Sequence, residues 1–183
     1  HGLASEGLDY LWELHFLRHF TFPDLGQLEP IFWFGIINAG ANLLNILAVE
    51  LVRQQIDRSS LIIPRLLLIT DGLLIVSLLA FSQAQGFGLA LATCWATDLL
   101  RAANDPLYTG WMNQKLNSGT RATVFSIGSQ MTAIGKILIG PVIGITADVS
   151  VRSAIAASGV ILVPVLLLYL RAMKSELKPD QFP

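Results

Sequence analysis

Five long apolar blocks, at about 31–52, 61–81, 87–111, 122–147 and 153–170, constrain this chain more than any other feature. The hydrocarbon core of a bilayer is about 30 Å thick and takes about 20 helical residues to cross, close to the length of each block. Short polar connections separate the blocks. The pattern predicts an all-α fold, a polytopic transmembrane helix bundle surrounded by the lipid bilayer.

Composition agrees. Hydrophobic residues make up 53% of the 183 residues before any of the 15 glycines is counted, and charged residues only 14%, against about 25% in soluble domains. The net charge of −1 argues against nucleic acid as a partner. The single cysteine, Cys94, lies within an apolar block, with no disulfide partner and no metal-ligand spacing around it. It reads as a small buried apolar residue, and neither a metal nor a cofactor is expected. His1, His15 and His19 show no HExxH-like spacing and no serine partner, so an enzyme is not expected. No signal-peptide pattern is present. The stretch 3–17 carries Glu6, Asp9 and Glu13 and is too short to cross a bilayer alone. It is expected to be the outer part of a helix whose first half is missing, and the chain a fragment.

The basic residues sort onto alternate connections. Arg53, Arg58 and Arg65 flank the 52–65 loop, Lys115 and Arg121 the 113–121 loop, and Arg171, Lys174 and Lys178 fall in the tail, 171–183. The intervening connections hold only Arg18 and Arg152, while Arg101 and Lys136 lie within blocks. Positive loops stay cytoplasmic. The expected topology therefore has the C-terminal tail and the 52–65 and 113–121 loops inside, and the partial first helix ending outside.

Blocks 61–81 and 153–170 carry little polarity: Arg65 and Asp71 in the first, no charge in the second. Both are expected to face lipid or lie at the periphery, with Asp71 the one buried candidate. An ionisable group at mid-membrane costs about 2.5–3.5 kcal/mol, so those in the other blocks are expected to face a cavity or a partner. In 87–111, Cys94, Asp98, Arg101, Asp105 and Tyr108 follow steps of four, three, four and three, which places them on one helical face. Arg101 is close enough to Asp98 and to Asp105 to pair along that face. The stripe is either a polar cavity wall or, at Arg101 and Asp105, a set of interface anchors. Pro106 is expected to kink or end the helix.

Asn38, Asn42 and Asn45 share a face of the 31–52 block. They either hydrogen-bond neighbouring helices or line a pathway. Glu50 reads as an interfacial or loop-pairing residue. In 122–147, Ser129, Thr132 and Lys136 lie on one side with Gln130 adjacent. Lys136 is expected either to serve function or to form an ion pair with Asp98 or Asp71. Gly140, Pro141 and Gly144 supply a proline kink and small residues for close helix approach. Trp12 reads either as an interfacial anchor or as a substrate contact.

The run Ser5-Glu6-Gly7-Leu8-Asp9-Tyr10-Leu11-Trp12, followed by His15 and Leu17, resembles the seventh helix of bacterial drug-efflux-type transporters of the major facilitator superfamily. Arg121-Ala122-Thr123-Val124-Phe125-Ser126 resembles the entry to their eleventh helix. Gly140-Pro141-Val142-Ile143-Gly144 is similar to the glycine-proline motif of the antiporters. The resemblance covers essentially the whole chain, as helices seven to twelve. It implies the C-terminal half of a twelve-helix protein, built of two inverted three-helix repeats, with an N-terminal six-helix half as partner. Helices seven, eight, ten and eleven would line the cavity, and nine and twelve would be peripheral. The loop with Arg53, Asp57 and Arg58 resembles a degenerate gating loop and lacks the family's glycine-and-aspartate signature.

The expected function is secondary active transport of a small molecule, with protons exchanged for an amphipathic compound leaving the cell. The expected pathway residues are Glu6, Asp9, Asn38, Asn42, Asn45, Asp98, Arg101, Gln130 and Lys136, with Glu6, Asp9 and Asp98 as proton carriers. Arg101 and Lys136 either balance those carboxylates or bind an anionic substrate. The alternative is a membrane sensor or scaffold that keeps the fold without transporting.

Overall fold

The structure, a computed structural model, describes residues 2–23, 29–58 and 63–176, less the side chains of 2–7, 55–58, 115, 139, 143, 172 and 174–176. The described residues are helical and contain no strand. The order is α1 (Gly2–His19), α2 (Pro30–Arg58), α3 (Ile63–Gln83), α4 (Phe87–Lys115), α5 (Ser118–Val149), α6 (Val151–Ile161) and α7 (Val163–Glu176). Each apolar block of the sequence lies on one of these helices or on the α6–α7 pair. The end of the tail, 177–183, lies outside the described residues, and 171–176 continue α7.

Four segments are long and apolar enough to cross a membrane: Pro30–Gln54, Ile63–Gln83, Ser118–Val149 and Val151–Arg171. α4 has the length, at 29 residues, but Asp98, Arg101 and Asp105 interrupt its apolar run. The large exposed side chains are mostly aliphatic, among them Ile46 and Leu47 on α2 and Ile137 and Ile145 on α5. Such a surface needs lipid or another protein against it.

Two prolines act differently on their helices. Pro106 does not end its helix: α4 runs through it to Lys115. Pro164 does interrupt the last block. It has no N–H to donate and its ring crowds the preceding turn. The backbone tightens there, with Leu162 N–H donating to the Gly159 carbonyl at 3.2 Å and Val165 N–H to the Leu162 carbonyl at 3.0 Å. The 153–170 block is therefore divided into α6 and α7. Ser150 makes the sharp turn between α5 and α6. It is extended, at φ −161°, and its Oγ accepts the Ser153 N–H, capping α6.

The packing has an internal symmetry. α1 packs on α5 and α6, and α4 packs on α2 and α3, while α3 packs on α6 and α7. Exchanging the triplet α1–α2–α3 with α4–α5–(α6–α7) maps the first two sets of contacts onto each other and the third onto itself. The equivalence is incomplete, because α5 also packs on α6 more closely than α2 does on α3.

α3 is not simply a lipid-facing helix. Ile69, Leu73 and Val76 are exposed on one side, while Leu67, Asp71, Leu74 and Leu78 are buried on the other. Burial covers 44% of its apolar window, against 6% in α5. The expectation that 61–81 and 153–170 lie at the periphery is thus not met by the buried face of α3, which forms the seam of this bundle. Apolarity suits a packed neighbour as well as lipid and does not choose between them.

Small polar groups fasten α3 to α4. Ser77 Oγ donates to the Thr93 carbonyl at 2.9 Å, and Thr97 Oγ1 lies 2.8 Å from that carbonyl and 3.0 Å from Ser77 Oγ. Further along, Asn104 donates from Nδ2 to Asp71 Oδ1 at 2.5 Å and accepts the Thr70 hydroxyl. Asp71, Thr97 and Asn104 are all buried. The substitution Thr97→Val keeps the shape and removes the hydroxyl. It is expected to cost about 0.5–1.5 kcal/mol, read as a lowered thermal midpoint of the detergent-solubilised protein.

At the α3–α4 turn, Phe16, Phe22, Trp33, Phe81 and Phe87 pack ring against ring at centroid separations of 5.5–6.5 Å. His15 is fully buried there, its Nε2 3.1 Å from the Phe81 carbonyl oxygen, which ties α1 to the end of α3. Arg152 donates from Nη2 to the Ala84 carbonyl at 3.2 Å, bringing α6 to the same turn.

Candidate functional site

The polar stripe of α4 and the asparagine face of α2 meet across one cavity. It measures about 330 Å³, and its walls include Asp9 of α1, Asn38, Asn42 and Asn45 of α2, and Asp98, Arg101 and Asp105 of α4. A smaller pocket of about 140 Å³ adjoins it, sharing Asp9, Asn38 and Asp98 and adding Trp12 and Cys94. Six of the nine predicted pathway residues therefore stand together.

The centre of the site is an ion triad. Arg101 Nη1 lies 2.8 Å from Asp9 Oδ1 and 3.7 Å from Asp98 Oδ1. The guanidinium side chain is 26% exposed and the two carboxylates 42% and 30%, so the triad borders open space rather than being sealed in the packing. The 87–111 stripe was read as pairing along its own face. The closer contact is with α1, and among the described residues no ion pair joins Arg101 to Asp105. The reason is reach: the long Arg101 side chain spans the gap to the neighbouring helix, where Asp9 offers a shorter contact than either carboxylate of α4.

Helical spacing brings the α2 and α4 faces together. Trp95 donates its indole N–H to the Ile37 carbonyl at 2.9 Å, and Gly40 lies directly beneath its ring. On α2, Asn42 donates from Nδ2 to the Asn38 carbonyl at 2.9 Å. That bond is within the helix and engages the Asn42 side chain with the Asn38 backbone, and both residues line the cavity. Trp12 packs edge-on against Phe34 at 5.4 Å while also lining the smaller pocket, so it joins the aromatic packing to the polar site. Glu50 pairs within its own helix, accepting from Gln54 Nε2 at 3.2 Å.

The remaining predicted residues lie elsewhere. Glu6 belongs to α1, and its side chain lies outside the described residues, as do those of Asp57 and Arg58 in the loop read as a gate. Gln130 is exposed on α5 and lines none of the cavities described here. Lys136 stands on the walls of two other spaces: a cavity of about 820 Å³ between α4, α5 and α7, and a groove between α1 and α5 that Gly140 and Gly144 also line. A Cβ added at Gly140 or Gly144 would meet nothing within 4 Å. These glycines leave open space among the described residues rather than admitting a close helix. Pro141 lies inside α5 and is exposed.

Sequence reasoning missed Asn104. It bonds Asp71 and Thr70 and also lines both the 330 Å³ and the 820 Å³ cavities. A signal was available: Thr97 and Asn104 are seven residues apart, as are Thr70 and Ser77, and that interval keeps polar groups on one helix seam. No protein-family model matches the chain, and no curated protein and no solved structure does either.

Proposed function

We propose that this chain is the C-terminal six-helix half of a secondary active transporter of the major facilitator superfamily, of the drug-efflux type, exporting a small molecule in exchange for protons. The observation that carries the reading is the Asp9–Arg101–Asp98 triad facing a cavity. It joins α1 to α4, two helices that otherwise meet sparsely and that lead the two symmetry-related triplets. With three crossings in each triplet the units are inverted relative to one another, the arrangement that supports alternating access.

The chemistry follows from charge balance. One arginine faces two carboxylates, so the triad as drawn carries a net negative charge at membrane depth. A proton on Asp9 or Asp98 removes that imbalance and frees Arg101 to pair with the other carboxylate alone. Pairing with Asp9 holds α1 to α4, whereas pairing with Asp98 keeps the arginine on its own helix. A proton on Asp9 is thereby coupled to the separation of the two helices at the cavity, and a proton on Asp98 to their pairing. The asparagines of α2 offer donors and acceptors to a passing solute, and the missing N-terminal half supplies the opposite wall. The protein is a multi-pass component of the cell membrane in this reading, with its C-terminus in the cytoplasm.

The test is accumulation of candidate compounds by cells carrying the full-length protein, with and without an uncoupler. Asp98→Asn is expected to make accumulation insensitive to the uncoupler. Unchanged accumulation in Asp9→Asn and Asp98→Asn would remove both residues from the mechanism. Normal insertion with no transport of any kind would favour a sensor or scaffold.

Topology makes a separate prediction. In a Cys94→Ser background, a cysteine at Ser118 is expected to react with an impermeant maleimide only from the cytoplasmic side, and one at Gln85 only from outside. The reverse pattern would invert the assignment drawn from the basic loops.

A further inference from the structure

The 820 Å³ cavity is distinct in character from the ion triad. It lies between α4, α5 and α7 and shares only Asn104 and Asp105 with the polar site. Its volume is in the range of pockets that enclose drug-sized molecules. Four aromatic residues line it: Tyr108 and Trp111 of α4, Phe125 of α5 and Tyr169 of α7. Trp111 and Tyr169 already pack edge to face, with centroids 6.1 Å apart at 76°, and so form a fixed corner of the wall. The Trp111 indole N–H is buried and has no hydrogen-bond partner among the described residues. An orphaned buried donor costs stability unless something accepts from it. Lys136 and Asp105 place one charge of each sign on the wall, Asp105 at the part shared with the polar site.

We propose that this cavity is a binding site for a flat aromatic compound carrying a hydrogen-bond acceptor such as a carboxylate, and that this class is the cargo. The inference rests on the transport reading for the word cargo, but not for the binding. Rings of the ligand pack against Tyr108, Phe125 and the Trp111–Tyr169 corner, where aromatic pairs gain more than area burial alone. The acceptor meets the Trp111 N–H, the buried donor that lacks a partner among the described residues. Asn104, hydrogen-bonded to Asp71 and lining both cavities, connects the occupied site to the triad through α4.

The test is binding of tritiated 2-naphthoate to the full-length protein in lipid nanodiscs, with unlabelled 2-naphthoate, 2-naphthylammonium or decanoate as competitors. Saturable binding is expected, displaced at tenfold excess by 2-naphthoate and by neither of the others. Phe125→Ala and Tyr108→Ala are each expected to weaken binding about tenfold, the scale of one lost aromatic contact. Trp111→Phe keeps a ring, removes the N–H and is expected to weaken it less. Should an alanine variant fail to fold, Thr132→Trp fills the cavity from α5 and is expected to abolish binding. Equal displacement by decanoate would make the cavity an acyl-chain groove, equal displacement by 2-naphthylammonium would remove the acceptor selectivity, and unaltered binding in Phe125→Ala and Thr132→Trp would place the ligand elsewhere. Each of these outcomes overturns the proposal. Loss of naphthoate binding from a protein that still exports other compounds overturns this inference alone. Naphthoate binding in a protein that transports nothing overturns the transport reading and leaves the site.

Discussion

Replacing Arg101 with leucine in the full-length protein is expected to reduce transport at least about a hundredfold, the largest effect of any single substitution in the polar site. The change leaves Asp9 and Asp98 facing one another without a counter-charge. Removing one partner of a fully buried pair costs about 3–5 kcal/mol. The triad is partly open, with side-chain exposures between 26% and 42%, and solvent screening reduces that figure to about 1–2 kcal/mol. Stability therefore suffers moderately, while the coupling of charge to helix separation proposed above would be lost outright. The triple change Arg101→Gln with Asp9→Asn and Asp98→Asn separates the two effects. It leaves no unpaired charge in the triad and is expected to recover the thermal midpoint without recovering transport. The measurements are uptake into proteoliposomes under an imposed pH gradient and thermal unfolding of the same preparations. Wild-type uptake by Arg101→Leu would dispose of the coupling mechanism.

Gly40→Ala is expected to be the most damaging small substitution in the bundle. A Cβ at this position would stand 2.6 Å from Cζ2 of Trp95, with two further ring atoms at 3.1 and 3.3 Å. The ring cannot move aside freely, because its N–H is bonded to the Ile37 carbonyl at 2.9 Å on the same helix as Gly40. Overpacking of this kind costs about 1–3 kcal/mol. The thermal midpoint in detergent is expected to fall by several degrees, and Gly40→Leu by more. Gly35 lies on the same helix and has nothing within 4 Å of its added Cβ, so Gly35→Ala is expected to leave the midpoint unchanged. Combining Gly40→Ala with Trp95→Phe removes the clashing ring atoms and is expected to be more stable than Gly40→Ala alone. If Gly40→Ala melts with the wild type, α2 and α4 do not approach as closely as the packing shows.

The candidate site divides by the range of the information it needs. Asn38, Asn42 and Asn45 recur at helical intervals, and so do Cys94, Asp98, Arg101, Asp105 and Tyr108. Periodicity alone puts each set on one face. The structure keeps both faces and turns them toward each other. What periodicity could not supply was the partner across the gap. Arg101 has two carboxylates within four residues on its own helix, yet its shortest contact is to a residue 92 positions earlier, by the difference of their numbers. The same holds for Asp71, whose bonded partner Asn104 lies on the next helix. Lys136 lines two further spaces from α5.

Local composition by itself determined that the chain is helical, where most of its helices run, and which residues on each helix share a side. Those properties depend on hydrogen bonds within one segment and on a fixed rotation per residue, so neighbours in sequence suffice. Only the tertiary structure decided that α3 buries one face and that Asp9 and Arg101 meet. Those outcomes depend on which helix stands opposite which. An apolar helix face is equally content against lipid or against another helix, and so its sequence carries no record of the choice.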